Sequence, residues 1–346
     1  MPRAWSVLLA AAVLALSACD LPFGVGTPTT RALESGVENS LNSWSSFEIT
    51  GFYTQVQSAP PAPLVSGARV TPPHAGARWT IDLHVNSQLA AQHMLLTTTG
   101  VKLEAIVLAT GAYFRGQDFL AQFLGGDPQS SQLVKAAGNA WWRGPSGLVP
   151  HLPDLTGGTA FRAAFLGSAV TSRQDHVSVD GVDAVELSGP RADVFVDSAA
   201  PYDLVRLVMK PRVTVDGIAG ADLHYAGYGK DFGLATPANV IDFSNLSTLP
   251  PIYTVVSVDT SRCTSPCVVS AVLKNLGGPT GAQAPSTVTF TLTDSATGAA
   301  AGSCQATVTP DVGYNATTTV SCTIALNGPP PNAATVTATP ANPGRG

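Results

Sequence analysis

Residues 45–56, SSFEITGFYTQV, mark the point where the period of the sequence changes from nearly four residues to two. From Phe47 onward apolar and polar residues alternate, which is typical of a strand with one face against a core. Before this stretch the apolar residues recur at spacings of four, four and three, at Leu33, Val37, Leu41 and Trp44. The sequence therefore predicts an N-terminal helix with one apolar stripe, followed by the first strand of a half-buried sheet.

Strand-like and helical patterns continue as far as residue 229. Helical patterns lie at 118–124, 131–138 and 159–169, and the short stretch AWWRG occupies 140–144. Runs with a period of two, bounded by Gly, Pro, Asn or Ser, form one group before these helices and one group after them. The runs are 47–56, 78–86, 90–99, 101–109 and 111–117, then 175–181, 183–189, 192–198, 202–210 and 221–229. This order predicts an α+β fold with a large antiparallel sheet.

The composition changes after Pro250 and Pro251. Thr, Val, Ser and Ala dominate the rest of the chain, and helical patterns are missing from it. Six short strands separated by turn residues are predicted, at 252–258, 268–275, 286–293, 302–309, 317–325 and 333–338. Such a pattern is typical of an immunoglobulin-like β-sandwich. We therefore expect one domain at 31–250, a second at 251–340 and a disordered tail at 341–346.

The first 19 residues carry an export signal. A single Arg3 precedes the apolar run 7–16, which is too short for the roughly 20 apolar residues of a membrane-spanning helix. The sequence LSAC at 16–19 resembles the lipobox of bacterial lipoproteins, in which a peptidase cuts just ahead of the cysteine and the thiol carries a diacylglyceryl group. This resemblance implies a signal peptide at 1–18 and a lipid anchor at Cys19. The Pro, Gly and Thr residues that follow predict a flexible tether at 19–30. The alternative is an ordinary secretory signal with a chance cysteine.

An acylated Cys19 would attach the chain to a membrane. The resemblance implies export and anchoring at the outer face of the cytoplasmic membrane, within the cell envelope. Asp20 resembles the inner-membrane retention signal of bacteria with two membranes. In bacteria with one membrane, this residue does not indicate a location.

The other four cysteines predict two disulfides, because disulfides are expected in an exported chain. In a hairpin centred on Gly313, Cys304 lies directly opposite Cys322, and both thiols are on the face whose other residues are apolar. Cys263 and Cys267 are then left to bridge the short loop CTSPC. A four-cysteine zinc site is the rival interpretation, although the second pair lacks the spacing of a zinc knuckle.

Composition and motifs argue against several functions. Only 12% of residues are charged and the net charge of −5 is spread without blocks, which disfavours nucleic-acid binding. The six histidines are dispersed, and the HExxH, GxSxG and phosphate-loop motifs are missing. The acidic cluster at Asp180, Asp183 and Glu186 fits a hairpin turn better than a pair of catalytic carboxylates. The sequence therefore predicts a protein that is not an enzyme and has no metal site and no cofactor.

Residues 30–250 resemble the lipoprotein-carrier domains of the LolA and LolB type, and more closely the LppX and LprG branch of exported lipoproteins. The features that carry this resemblance are the helix leading into SSFEITGFYT, the strand GAYFRG followed by a helix and AGNAWWRG, the hairpin VDGVDAVELSG, and YDLVRLVM followed by DLHYAGYGKDFG. The resemblance implies a curved antiparallel half-barrel sheet wrapped around helices. It also implies an apolar cavity between the two layers that holds lipid chains.

Seven aromatic residues fall in the elements that line this cavity in the resembled family: Trp79, Phe114, Phe119, Phe123, Trp142, Phe161 and Phe165. An apolar pocket with few polar groups suits acyl chains, but a filled core would use the same residues.

Two hypotheses about function follow from the sequence. The first is a membrane-anchored lipoprotein that binds a lipid or another apolar ligand for lipid or lipoprotein transfer in the envelope. In this hypothesis the sandwich is a spacer or a docking module for an envelope protein. The second is a surface interaction or sensor lipoprotein with a packed core that recognises a protein.

We predict that Cys19→Ala abolishes labelling of the protein by metabolic fatty acids, because the thiol is the expected site of acylation. The variant should accumulate as an unprocessed precursor or as soluble protein, which fractionation and gel mobility detect. Labelling that persists in the variant would show that the lipobox interpretation is wrong.

Overall fold

The computed structural model describes residues 27–56, 76–124, 128–328 and 333–345. The predicted signal peptide, Cys19 and most of the predicted tether lie outside the described residues. Residues 27–29 have no regular structure, and the first helix begins at Thr30.

The first domain contains the predicted helices and strands and a short strand within the AWWRG stretch, together with one short helix and one short strand that the sequence did not indicate. The helices are α1 (Thr30–Ser43), α2 (Gln117–Leu124), α3 (Pro128–Ala137), α4 (Pro153–Thr156) and α5 (Gly158–Phe165). The strands are β1 (Ser46–Gln55), β2 (Arg78–Asn86), β3 (Ala91–Thr98), β4 (Val101–Leu108), β5 (Gly111–Arg115), β6 (Trp142–Gly144), β7 (Ser172–Val179), β8 (Val182–Ser188), β9 (Ala192–Asp197), β10 (Leu204–Met209), β11 (Thr214–Val215) and β12 (Ile218–Ala226). The new elements are α4 and β11.

These strands form one antiparallel sheet of twelve strands, in the order β6-β5-β4-β3-β2-β1-β12-β10-β9-β8-β7, with β11 paired to β12. Strands from β1 to β6 that are neighbours in the sheet are also consecutive along the chain, with helices α2 and α3 between β5 and β6, and the strands from β7 to β10 are likewise consecutive. The two groups are joined where β1 pairs with β12, for example at Ile49 opposite Tyr225. One face of the sheet and all five helices contribute to a single buried apolar core.

Helix α1 is capped at its N-terminus and buries the predicted apolar stripe. The Thr29 hydroxyl accepts a hydrogen bond from the Ala32 N–H at 3.2 Å and caps the helix. Leu33, Val37 and Leu41 are at most 1% exposed and face the sheet. The stripe predicted from the sequence therefore anchors the helix in the core.

Gly51 allows β1 to pair with β12. Its φ is +143°, and a Cβ atom at this position would lie 2.1 Å from the Asp222 carbonyl oxygen of β12. Only glycine fits such a close backbone approach without a clash. The register between the strands shifts just beyond it, between Phe52 and Thr54, as at a β-bulge.

The second domain contains six antiparallel strands, each overlapping a predicted one: β13 (Tyr253–Asp259), β14 (Cys267–Asn275), β15 (Thr287–Asp294), β16 (Ala300–Thr307), β17 (Thr317–Leu326) and β18 (Ala334–Ala341). Their order is β13-β14-β17-β16-β15-β18. Side chains of these strands, among them Tyr253, Phe290 and Ile324, form a second apolar core. The first core reaches Ile252 and the second begins at Tyr253, two residues after the predicted boundary.

Both predicted disulfides are present, Cys263–Cys267 and Cys304–Cys322. The register used to predict the second one is wrong, because β16 and β17 pair as Ser303 opposite Ala325 rather than with the two cysteines directly opposite. Only two residue pairs join these strands, since β17 pairs along its length with β14. The disulfide therefore links two strands at the point where they diverge.

Asn275 ties the two domains together. Its side chain is fully buried and forms four hydrogen bonds to main-chain groups. The carbonyl accepts from the N–H groups of Ile252 and Gly277, both at 2.9 Å, and the amide donates to the carbonyls of Gly278 and Val312. A buried amide with all these partners fixes the path of the chain between the domains.

Residues 341–345 are not a free tail, in contrast to the prediction for 341–346. Strand β18 continues to Ala341, and the Asn342 side chain hydrogen bonds with both main-chain groups of Tyr253. Arg345 donates from its main chain to Ala136, and from its guanidinium to the carbonyls of Asn239 and Thr248, both at 2.9 Å. These bonds return the end of the chain to the first domain.

We predict that Gly51→Ala lowers the free energy of unfolding by about 3 kcal/mol or more, because the added methyl group meets backbone and the φ is unfavourable for alanine. Chemical denaturation measures the change. Gly147→Ala is the matched control, since a Cβ atom there meets nothing within 4 Å. Equal stability of the two variants would contradict the role given to Gly51.

Candidate functional site: an apolar groove between the sheet and the helices

A groove of about 500 Å³ opens where the β2–β3 hairpin meets helices α4 and α5. Small and apolar side chains form most of its surface, and His151, Asn42 and Thr159 contribute polar atoms. The lining residues are Asn42, Val85, Asn86, Ser87, Ala90, Ala91, Gln92, Val107, His151, Pro153, Thr156, Gly157, Thr159 and Ala160. Val85 and Ala91 also belong to the buried core, so the groove reaches down to the core of the domain.

Asn42, at the end of α1, holds one wall of the groove in place. Its Oδ1 accepts a hydrogen bond from the Gly158 N–H at 3.0 Å, and its Nδ2 donates to the Thr159 hydroxyl at 3.3 Å. A Cβ atom on Gly158 would lie 2.1 Å from the Glu38 carbonyl oxygen. The absence of a side chain at Gly158 therefore lets α5 approach α1 closely.

Ion pairs continue this contact along the two helices. The Arg162 guanidinium donates to Glu38 at 2.6 Å and lies 3.9 Å from Glu34. This hydrogen bond from Arg162 lowers the pKa of the Glu38 carboxyl group. Glu34 in turn accepts from the Gly167 N–H just beyond α5. The groove wall is thus attached to a helix that is itself packed on the sheet.

Asp216 supports the other wall. It lies in the turn between β11 and β12, and its Oδ2 accepts from the N–H of Asp154 in helix α4 at 2.9 Å. Burial, with a smaller contribution from the nearby carboxylate of Asp154, raises the pKa of Asp216 to about 6, although the hydrogen bond from the Asp154 N–H and the nearby His151 act in the opposite direction. Asp216 therefore titrates just below neutral pH.

The seven aromatic residues predicted to line a cavity are all buried, and none of them is among the residues that line this groove. Trp142 contacts the rings of Phe114, Phe119 and Phe123 at centroid distances of 4.9 to 6.4 Å. Phe161 contacts Phe165 at 5.0 Å. The structure therefore brings six of the seven into two ring clusters, and their role in ligand contact stays a prediction.

Trp79, the seventh, lies directly opposite Tyr53 in the pairing of β1 with β2. The Trp79 Nε1, the Tyr53 hydroxyl and the Trp142 Nε1 are buried and have no hydrogen-bond partner among the described residues. Leaving such a donor unpaired costs about 1–3 kcal/mol. Three donors in the apolar interior thus have no acceptor among the described residues.

The three acidic residues of the β7–β8 hairpin each contact a different partner. Asp180 contacts His224, Asp183 accepts from the Ser198 hydroxyl at 2.9 Å, and Glu186 accepts from the Ser188 hydroxyl at 2.7 Å. The turn follows Asp180 at Gly181, whose φ is +85°. The hairpin predicted from this stretch is present.

Comparisons with known proteins add little. No protein-family model matches the chain, and no curated protein matches it. Among solved structures, LprF from Mycobacterium bovis aligns with 62% of this chain and 100% of its own, at 14% identity and a TM-score of 0.35. Similarity at this level leaves the functional conclusion to the residues of the site. Within the part of the chain that the structure describes, no helix is long and apolar enough to cross a membrane.

We predict that Asp216→Asn removes a loss of stability that the parent protein shows as the pH rises from about 4 through 6. The folded pKa of about 6 exceeds the ordinary value of 3.8, so protonation of Asp216 stabilises the folded state. This stabilisation is lost as the pH rises through the folded pKa. Asparagine keeps the hydrogen bond to Asp154 without the charge.

Unfolding free energies measured across this pH range test the prediction, with the exposed Asp231→Asn as control. The stability difference between Asp216→Asn and the parent should grow with pH, whereas the control should follow the parent. Parallel curves for all three proteins would contradict the role of Asp216.

Proposed function

We propose that this chain is an exported lipoprotein, anchored by Cys19, whose first domain binds a lipid or another apolar ligand between the sheet and the helices. Transfer of a lipid or a lipoprotein within the cell envelope is the role we assign to this binding. The observation that carries the proposal is the groove bounded by the β2–β3 hairpin and helices α4 and α5. Its volume of about 500 Å³ falls in the range of about 300–1,000 Å³ typical of small-molecule sites.

The chemistry of the groove favours an apolar ligand with a small polar end. Val85, Val107 and Ala160 offer aliphatic surface, while His151 and Gln92 contribute polar side chains to the same lining. Burial of a methylene group against such a surface contributes about 0.8 kcal/mol. A chain of ten or more methylene groups could therefore supply the binding energy with few hydrogen bonds.

The unpaired donors support a ligand that reaches deeper than the groove. Tyr53, Trp79 and Trp142 present hydrogen-bond donors inside an otherwise apolar core. Carboxyl, ester or phosphate oxygens are the acceptors that a lipid carries. Since a polar atom is costly to bury alone, pairing with a ligand oxygen would lower the free energy of the bound state.

For the second domain we propose an immunoglobulin-like sandwich that acts as a spacer or docks an envelope protein. The order of its strands supports this assignment, because the first, second and fifth strands are neighbours, and so are the fourth, third and sixth. The bonds of Asn275 and Arg345 hold it against the first domain, so it would present a partner at a fixed distance from the ligand site.

The second candidate function is a surface interaction lipoprotein that recognises a protein. The ring clusters around Trp142 and Phe161 favour it, because side chains packed on one another leave no space at those positions for a ligand. In this case the groove would be a surface feature without a bound lipid.

Ligand binding distinguishes the two candidates. The chain from residue 20 onward, which keeps every described residue, is delipidated and titrated with a fluorescent fatty acid and with a fluorescent phospholipid. We expect saturable binding at micromolar concentrations. We also expect Ala160→Trp to weaken it by about tenfold or more, since the indole fills the groove; tenfold corresponds to about 1.4 kcal/mol.

Ala163→Trp is the matched control, because Ala163 lies on the same helix, is exposed and is not part of the groove lining. Thermal melting of each variant shows whether the fold is intact. A folded parent that takes up neither probe, or equal binding by both variants, would contradict the proposed site and favour the protein-interaction candidate.

A further inference from the structure

The outer face of the sheet, which the proposed ligand site does not use, carries a row of ionisable side chains across neighbouring strands. Two carboxylates in this row, Glu104 and Asp222, have an arginine partner. Glu104 accepts hydrogen bonds from Arg115, and its other oxygen lies 3.0 Å from His93 Nε2. Asp222 forms a bidentate pair with Arg206, with both distances 2.7 Å. These pairs leave little net charge at their positions.

Three residues in the middle of the row differ from these pairs. Glu48 of β1 lies directly opposite His84 of β2, and Asp82 is two residues before His84 on the same face. The ligand atoms of the three side chains, two carboxylate oxygens and one imidazole nitrogen, all lie within 4.8 Å of one another. All three residues are partly buried.

The electrostatics of this cluster are unbalanced. Among the described residues, no lysine or arginine forms an ion pair with Glu48 or Asp82, in contrast to Glu104 and Asp222. The Asp82 Oδ1 atom is inaccessible to solvent and accepts no hydrogen bond from the described residues, although His84 Nε2 is 3.3 Å away. Two carboxylates this close repel each other, and a bound cation would remove the repulsion.

His84 is also held in a fixed orientation. Its ring stacks on the ring of Phe232 at a centroid distance of 4.2 Å and an angle of 12°. Phe232 belongs to the segment that follows β12, and this segment is attached to β1 where the Gly229 N–H donates to the Ser46 carbonyl oxygen at 2.8 Å. A ligand that is already ordered loses less entropy when a metal binds.

We propose that Glu48, Asp82 and His84 form a binding site for a divalent transition metal ion, of which Zn²⁺ is the representative. One imidazole and two carboxylates are ligands that Zn²⁺ accepts, and three protein ligands leave a coordination position open. The site lies on the solvent side of the sheet. The open position would therefore be accessible to water or to a donor group of another molecule at the envelope surface.

The test uses the full chain, purified in a non-ionic detergent without a histidine tag. Zn²⁺ is titrated in competition with a chromophoric chelator, and Co²⁺ absorption reports the coordination. We expect one equivalent of Zn²⁺ to bind. Glu48→Gln, Asp82→Asn and His84→Gln should each weaken this binding by at least about tenfold, the loss found even when residues outside the first coordination shell are changed.

The control is His176→Asn, which removes the exposed imidazole paired with Asp183 elsewhere on the sheet. Asparagine tolerates the positive φ of 58° at that position. It should leave the affinity unchanged, and melting curves establish that all variants are folded. No stoichiometric binding by the parent, or equal affinity in the parent and the three folded site variants, would overturn the proposal.

Discussion

The pairing of β1 with β12 is the interaction on which the first domain depends. The other long pairings of the sheet connect neighbours along the chain, whereas this one joins the two ends of the domain. It is possible because Gly51 lets the backbones approach more closely than any side chain would allow. Without it, the hairpins before and after the helices would be two separate sheets, and neither would cover the helices.

The same strand positions both candidate sites. Side chains of β1 point alternately to the two faces of the sheet, so Tyr53 faces the core and Glu48 faces the solvent side. The core face meets helices that α1 holds in place through Asn42 and Glu38, and these contacts shape the groove. Acidic and histidine side chains from neighbouring strands lie together on the solvent face. A ligand in the core and a metal ion on the outer face would therefore be separated only by the thickness of one sheet.

Local patterns in the sequence predict most of the fold. Strands with a period of two and the stripe of α1 are properties of short segments, so their positions could be found from the sequence. Helix α4 and strand β11 were missed because four and two residues are too few to show a period. The register of β16 and β17 was predicted incorrectly because it depends on β14, a strand far away in the sequence that competes for β17.

The candidate sites were harder to predict for a related reason. The groove is lined by residues such as Asn42, Gly157 and Ala160, whose types carry no functional signal, and the aromatic residues chosen instead are those that any core would use. No metal site was predicted, because the histidines show no metal-ligand spacing along a helix. Glu48 meets His84 only through the pairing of two strands. The one sequence signal was the spacing of two between Asp82 and His84, which places both on one face of a strand.

The most direct test of the central claim is the identity of what the protein carries when it is isolated. The full chain is purified from membranes, and the material extracted from it by organic solvent is quantified by mass spectrometry after the covalent anchor has been accounted for. The account predicts about one equivalent of a lipid or another long-chain apolar molecule per folded protein. A folded protein that yields no such molecule above the level of a membrane protein control would contradict it.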